Sequence, residues 1–270
     1  MSQLRHEAGA ERLVLSLVTF LFFIFMLAPI LVVVAVSFTE ANYVTFPPQG
    51  FSLRWFHRIL EYTPFRDAMI VTCQVALFST VASCAIGTPA ALVLVRCRAR
   101  WAEMVMTFLL SPLSMPMIVL GLALLFYLSA LGLGISLTSL VVAHTIVGLP
   151  YVVRTVASVY RAVPPDLEES AAILGANRWQ VFWNVTFSQI KPGIAAGAMF
   201  SVLVSIDNLP ISYFFGGPQT NTLPVVMLSY LEHQFDPSIA ALSTVQLVVA
   251  IVGLLLIQKF FRLRDIGAPA

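Results

Sequence analysis

The chain has 270 residues, of which 59% are hydrophobic and 10% charged, and its formal net charge is +2. A soluble domain carries a charged fraction of roughly a quarter, so this composition excludes an ordinary soluble globular protein and makes lipid the solvent for most of the chain. No nucleic-acid partner is expected.

The first uncharged run, residues 13–37, lies between Arg12 and Glu40. It is long enough to cross the hydrocarbon, which takes about 20 helical residues, and it is too long for a signal peptide and lacks a small-residue cleavage pattern. Residues 40–66, with Phe46, Pro47, Pro48 and Gly50, are expected to form an exported loop holding a short interfacial helix near residues 53–62. The second run, residues 68–95, carries Thr72, Gln74, Ser79, Thr80, Ser83 and Thr88. Such side chains bond across helices or line a path. Cys73 and Cys84 in this span fit as small apolar fillers and Cys97 as incidental; their spacing supports neither a metal site nor a disulfide.

The uncharged stretch between Glu103 and Arg154 is more than twice too long for one crossing at about 1.5 Å per helical residue. The sequence SALGLG at residues 129–134 splits it into spans at 104–127 and 137–153. Pro112, Pro116 and Pro150 predict bends. His144 reads as a hydrogen-bonded packing residue or a polar group of a path. A fifth span enters at Pro192 and Gly193 and is interrupted by Asp207, and a sixth covers residues 239–258.

Six spans put both termini on one side. Arg5, Arg12, Arg96, Arg98, Arg100, Arg154, Arg161, Arg178, Lys191, Lys259, Arg262 and Arg264 fall on that side, against Arg54, Arg58 and Arg66 opposite. The excess of basic residues marks the cytoplasmic face, so both termini and the loop at residues 161–192 are expected there.

That loop begins with Pro164, Pro165 and Asp166, a helix-start signal that Glu168 and Glu169 strengthen beside exposed backbone N–H groups. Ala171, Ala172, Leu174, Gly175 and Ala176 follow at near-helical spacings. Gly175 inside a helix costs about 1 kcal/mol against alanine, a cost that a turn escapes. Two short helices joined near Gly175 and lying under the bilayer fit best, with Trp179, Phe182 and Trp183 facing the membrane helices. Asp207 lies 15 residues beyond Pro192, or about 22 Å along an ideal helix. A carboxylate there lines a water-filled path, pairs across the bundle, or caps a break made by Asn208 and Pro210.

The loop resembles the "EAA" segment of the inner-membrane permease subunits of bacterial binding-protein-dependent ABC importers of the type I fold. The matching residues are Glu169, Ser170, Ala171, Gly175, Phe182, Val185 and Pro192; Ser170 replaces the usual first alanine, and Ser188 stands where proline is often found. The resemblance implies an all-α polytopic membrane protein with one permease domain over residues 1–270, built as a five-helix core plus an N-terminal peripheral helix. It also implies that residues 161–192 couple to a separate ATP-binding cassette ATPase dimer through Glu168, Glu169, Ala171, Ala172, Gly175 and Ala176. Ala171 and Gly175 would allow close packing against that partner. The chain has no GxxxxGK[ST] phosphate loop, so it is not expected to be an enzyme or to hold a cofactor.

Residues 205–230 are similar to the polyamine-type subgroup, matching at Ser205, Asp207, Phe214, Phe215, Gly217, Pro218, Asn221, Thr222, Leu223 and Pro224. That similarity implies spermidine or putrescine as solute, Asp207, Ser205 and Asn208 on the path, a second and different permease chain, an extracytoplasmic solute-binding protein, and the bacterial inner membrane as location. Asn208 stands where a second acid is frequent and Pro210 where an unrestricted apolar residue is usual. Loss of a carboxylate weakens selection for a polycation, which leaves an opine, iron or another small solute as the alternative. An ion-gradient transporter would need an intramembrane acid network that the spans lack, and a non-transporting assembly protein gives no reason for the EAA-like loop.

Overall fold

The computed structural model describes residues 2–97 and 99–260, and their regular structure is helical throughout. Arg98, Arg262 and Arg264, used in the charge asymmetry, lie outside the described residues. The chain divides into two compact units, Met1–Thr63 with Tyr230–Val248 and Pro64–Ser229 with Val249–Ala270.

In the first unit, α1 (Ser2–Ser37) runs unbroken through Pro29. Its side chains from Val14 to Leu27 are exposed on every face. A helix that is apolar all round and unburied within its chain fits a membrane span covered by lipid or by another apolar surface. The expected short helix forms as α2 (Arg54–Glu61), with Trp55 and Ile59 buried. Trp55 Nε1 donates to the Thr39 carbonyl at 3.0 Å, and the Arg54 guanidinium stacks 4.5 Å from the indole. Arg58 pairs with Asp236 at 3.6 Å, and the Tyr230 hydroxyl donates to the same carboxylate at 2.9 Å.

The second unit contains α3 (Thr63–Arg96), α4 (Arg100–Leu110), a 3-10 turn at Ser111–Ser114, α5 (Met117–Ala130), α6 (Leu137–Ala162), α7 (Pro165–Ile173), α8 (Arg178–Val181), a π-helical segment at Phe182–Thr186, α9 (Phe187–Ile206) and α10 (Leu209–Phe214). Two more helices, α11 (Leu223–His233) and α12 (Ser238–Phe260), run through both units.

The centre of this unit is the contact of α6 with α9. A Cβ added at Gly197 would lie 2.7 Å from Val152 Cα, and one at Gly193 would lie 3.1 Å from Val156 Cα. Glycine at these positions lets two backbones approach, and close approach supplies the packing energy that water-driven burial cannot supply in lipid. Val152, Val153, Val156, Ile190 and Ile194 fill one apolar cluster at this contact, and Val75, Leu120, Leu140, Val147 and Ile211 fill another.

Five described helices are long and apolar enough to cross a membrane, or six if the pair Arg100–Ser114 and Met117–Ala130 counts as one. The bends expected at Pro112 and Pro116 fall inside that pair, whose halves meet at 112°, so the third span is broken there and not gently bent. Two prolines in the connection explain the break. Met115, held at φ −89 and ψ 140, is extended ahead of Pro116, where a proline disfavours helix. At residues 129–134 the expected interruption is present: Gly132 and Gly134 adopt φ of 81 and 54, and Ser136 caps α6 by accepting from the Ser139 N–H at 3.1 Å.

The fifth span also differs from expectation. It does not begin at Pro192 but runs from Arg178 through the π segment to Ile206, with Pro192 inside α9. Proline is tolerated inside a membrane helix where neighbouring helices and local π adjustments satisfy the freed backbone groups.

Candidate coupling site and solute path

At the start of α7, Pro165 occupies the first turn, with Asp166 and Glu168 beside the free N–H groups. At its end Gly175 adopts φ +89. The Gly175 N–H donates to the Ala172 carbonyl at 3.0 Å and the Ala176 N–H to the Ala171 carbonyl at 3.1 Å. This paired pattern is the Schellman stop, which calls for a left-handed residue. Asn177 and Gln180 then form a reciprocal capping box, with both bonds at 2.9 Å, and α8 begins. The expected two short helices joined at Gly175 are therefore present.

Within the chain, Gly175 is not a contact residue: a Cβ there would meet nothing within 4 Å. Within the chain, what calls for glycine there is the left-handed backbone conformation. Ala171 is half-buried, while Ala172 is exposed. Ile173 is 86% exposed, Leu174 88% and Trp179 69%. The expectation that Trp179 and Trp183 face the membrane helices is thus corrected. Both are exposed and pack edge-to-face at 5.5 Å, with the half-buried Phe182 and Phe187 on the inward side at 5.2 and 4.9 Å from Trp183.

The two adjacent glutamates differ sharply. Glu168 Oε1 accepts from the Tyr160 hydroxyl at 3.0 Å and from the Thr186 hydroxyl at 2.7 Å. Arg96, at the end of α3, stacks 4.4 Å from the Tyr160 ring and donates to the Val163 carbonyl at 3.2 Å. Glu169 is exposed and has no hydrogen bond or ion pair among the described residues. A cavity of about 390 Å³ opens beside this junction, lined in part by Leu92, Val93, Ala172 and Phe182.

On the path side, α9 ends at Ile206 and Asp207 is its C-cap. Asp207 is exposed, with no ion pair among the described residues. Asn208, not Asp207, caps the following break: its Oδ1 accepts from the Ile211 N–H at 3.1 Å, and the residue is buried. Ser205 is buried too, with its Oγ 2.8 Å from His144 Nδ1 and 3.3 Å from Ser79 Oγ. His144 Nε2 lies 3.1 Å from Ser212 Oγ on α10. Of the three expected path residues, the structure exposes only Asp207.

Of the polar side chains of the second span, Thr72, Ser79, Thr80 and Ser83 bond to neighbouring helices, while Gln74 is exposed and Thr88 is half-buried. Thr80 bonds Ser201 at 3.2 Å, Ser83 donates to the Thr145 carbonyl at 3.2 Å, and the Thr72 hydroxyl accepts from the Leu223 N–H at 2.7 Å. Sequence reasoning missed the network joining Ser79, His144, Ser205 and Ser212. Its signal was an isolated histidine in an apolar span with serines in the helices on either side. Among the described residues no group of histidine, cysteine and acidic side chains could hold a metal.

Residues 83–264 match the family described as binding-protein-dependent transport system inner membrane component. The putrescine transport system permease protein PotI of Escherichia coli (strain K12) is 33% identical over 239 residues, covering 86% of this chain and 85% of PotI. The spermidine/putrescine transport system permease protein PotC of the same strain is 28% identical over 238 residues, covering 88% and 90%. The molybdenum transport system permease protein ModB of Mycobacterium bovis is 34% identical over 211 residues, covering 72% and 79%. Among solved structures, a bacterial ABC transporter involved in import of the acidic polysaccharide alginate superposes with a TM-score of 0.70 at 16% identity, over 92% of this chain and 95% of that one. The MetNI methionine ABC transporter gives 0.55 at 20% identity, over 72% and 91%. At these identities the structural likeness speaks for the fold.

Proposed function

Since the chain belongs to the family of inner-membrane components of binding-protein-dependent transport systems, we propose that it forms part of the membrane path for a polyamine and docks through residues 161–192 on an ATP-binding cassette ATPase dimer. The chain is the permease subunit of an ABC importer, located in the inner membrane, and ATP hydrolysis belongs to a separate subunit. The remaining partners in this reading are a second, different permease chain and an extracytoplasmic solute-binding protein. Both termini lie in the cytoplasm, as the placement of Lys and Arg supports.

The observation that carries the docking reading is the pair Ile173 and Leu174, almost fully exposed at the end of a nine-residue helix that buries none of its own side chains. Covering such surface is worth about 25 cal/mol per Å², so the loop is built to be met by another protein. Glu169 beside it offers an unpaired acid for a basic partner group, and Ala172 and Ala176 keep the approach low.

Polyamine as solute is supported by similarity to PotI and PotC along most of the chain and by Asp207, an exposed carboxylate at the end of α9. In this reading Asp207 meets the cation in passing, while Ser205 and Asn208 hold the adjoining break in shape. The similarity to ModB favours a second reading, in which the solute is an oxyanion. The complete importer in liposomes separates them: uptake and ATP hydrolysis driven by putrescine or spermidine with the cognate binding protein support the polyamine, and a response to molybdate alone overturns it.

A further inference from the structure

Helix α7 is attached to its own chain in an unusual way. None of its nine residues is buried, and it borders a cavity of about 390 Å³ where a packed core would otherwise hold it. Its polar attachment is Glu168, whose Oε1 accepts from Tyr160 on α6 and from Thr186 in the π segment. Tyr160 and Thr186 are buried at 5% and 6% exposure, so both hydroxyls are fixed by the spans that carry them. Arg96 completes the junction by stacking on Tyr160 and bonding Val163, which adds the end of α3. One carboxylate oxygen therefore ties the docking helix directly to α6 and to the π segment that leads into α9, and the end of α3 joins them through Arg96.

We propose that Glu168 is a positioning residue that transmits the displacement of α7 to the membrane spans, while Glu169 faces the ATPase. This rests on the docking reading and reassigns Glu168 from the partner surface to the interior. Besides its chain connections to α6 and α8, α7 has no buried side chain to carry it with the core, so the Glu168 bonds are the side-chain link by which its displacement reaches the spans. The π segment contributes directly, because Thr186, its last residue, presents the hydroxyl that makes the shorter bond.

The test uses the complete importer reconstituted in lipid, with solute moved per ATP hydrolysed as the readout. Glu168→Ala removes both acceptors and is expected to leave ATPase association intact while lowering solute moved per ATP by about tenfold, the scale of one hydrogen bond to a charged group. Glu168→Gln keeps a carbonyl Oε1 that can accept from both hydroxyls, so it is expected to restore coupling to within about twofold of wild type, the residual being the lost charge. Thr186→Val removes the shorter bond alone and is expected to be impaired but not additive with Glu168→Ala; it also carries the test if Glu168→Ala fails to accumulate. Wild-type coupling in both Glu168→Ala and Thr186→Val overturns the proposal. So does a Glu168→Gln variant as impaired as alanine, which would make the charge, and hence a partner contact, the active feature. Failure of the docking reading looks different: the wild-type chain itself would then not bind the ATPase through this loop.

Discussion

His144 Nδ1 lies 2.8 Å from Ser205 Oγ, while its other ring nitrogen lies 3.1 Å from Ser212 Oγ. One buried side chain on α6 thereby holds both sides of the break between α9 and α10, where Asp207 is exposed. Hydrogen bonds between membrane helices average about 0.6 kcal/mol and reach about 1.7. His144→Leu loses both and takes the partner from the buried Ser212 hydroxyl, while Ser205 keeps Ser79, so a destabilisation of about 1–2 kcal/mol is expected, read as unfolding midpoint in mixed micelles. In a double-mutant cycle with Ser205→Ala the two losses are expected to be non-additive.

Gly197 sets the distance between α6 and α9. A Cβ there would lie 2.7 Å from Val152 Cα and 2.6 Å from Thr155 Oγ1, and backbone cannot swing aside as a flexible side chain can. Gly197→Val is expected to reduce the folded, monodisperse yield severely, by the overpacking cost of about 1–3 kcal/mol or more. Gly253→Val is the matched control, since nothing lies within 4 Å of its added Cβ, and size-exclusion profiles of the two variants check the contrast.

Gly175 separates two explanations of the same residue. If its value lies in the φ of +89, asparagine should be tolerated better than alanine, and alanine better than valine, because the left-handed region costs about 1–2 kcal/mol for ordinary residues and less for asparagine. If its value lies in close approach by the ATPase, alanine should be tolerated better than the larger asparagine. Retention of the ATPase during purification of the three variants gives the order directly.

The outline of the loop at residues 161–192 was legible in the sequence because capping chemistry is local. Pro165 and Asp166, then Gly175, then Asn177 with Gln180, mark the ends of α7 and α8 within a few residues. What the sequence hid depends on tertiary contact. Pro192 carries a helix-start signal that the helix running in from Arg178 overrides. Pro112 and Pro116 locate the break in the third span, but its angle of 112° depends on packing, such as that of α5 on α10, where an added Cβ at Gly121 would come 2.9 Å from Phe214. Trp179 misled because apolar character alone does not say whether a side chain is covered by its own chain's helices or left on the surface. Ser205 and Asn208 look like path residues by position, yet their polar atoms are consumed by His144 and by the α10 backbone.

Removing the exposed aliphatic pair should separate folding from docking. Ile173→Ser with Leu174→Ser is expected to change thermal stability by no more than about 0.5 kcal/mol, as for other exposed positions, because neither side chain is covered within the chain. Co-purification of the ATPase should nevertheless fall by at least tenfold, the scale of two large apolar contacts. Equal loss of stability and of association would assign both residues to the fold.

The most direct measurement is site-specific crosslinking of α7 to the ATPase in the complete importer. Cys73, Cys84 and Cys97 are first replaced by serine or alanine, and single cysteines are then placed at Leu174 and, as a remote control, at the exposed Phe51. Docking through residues 161–192 predicts a Leu174→Cys crosslink to the ATPase whose yield changes with bound nucleotide, and none from Phe51→Cys. A Leu174→Cys variant that forms no crosslink in an assembled, transporting complex would contradict it.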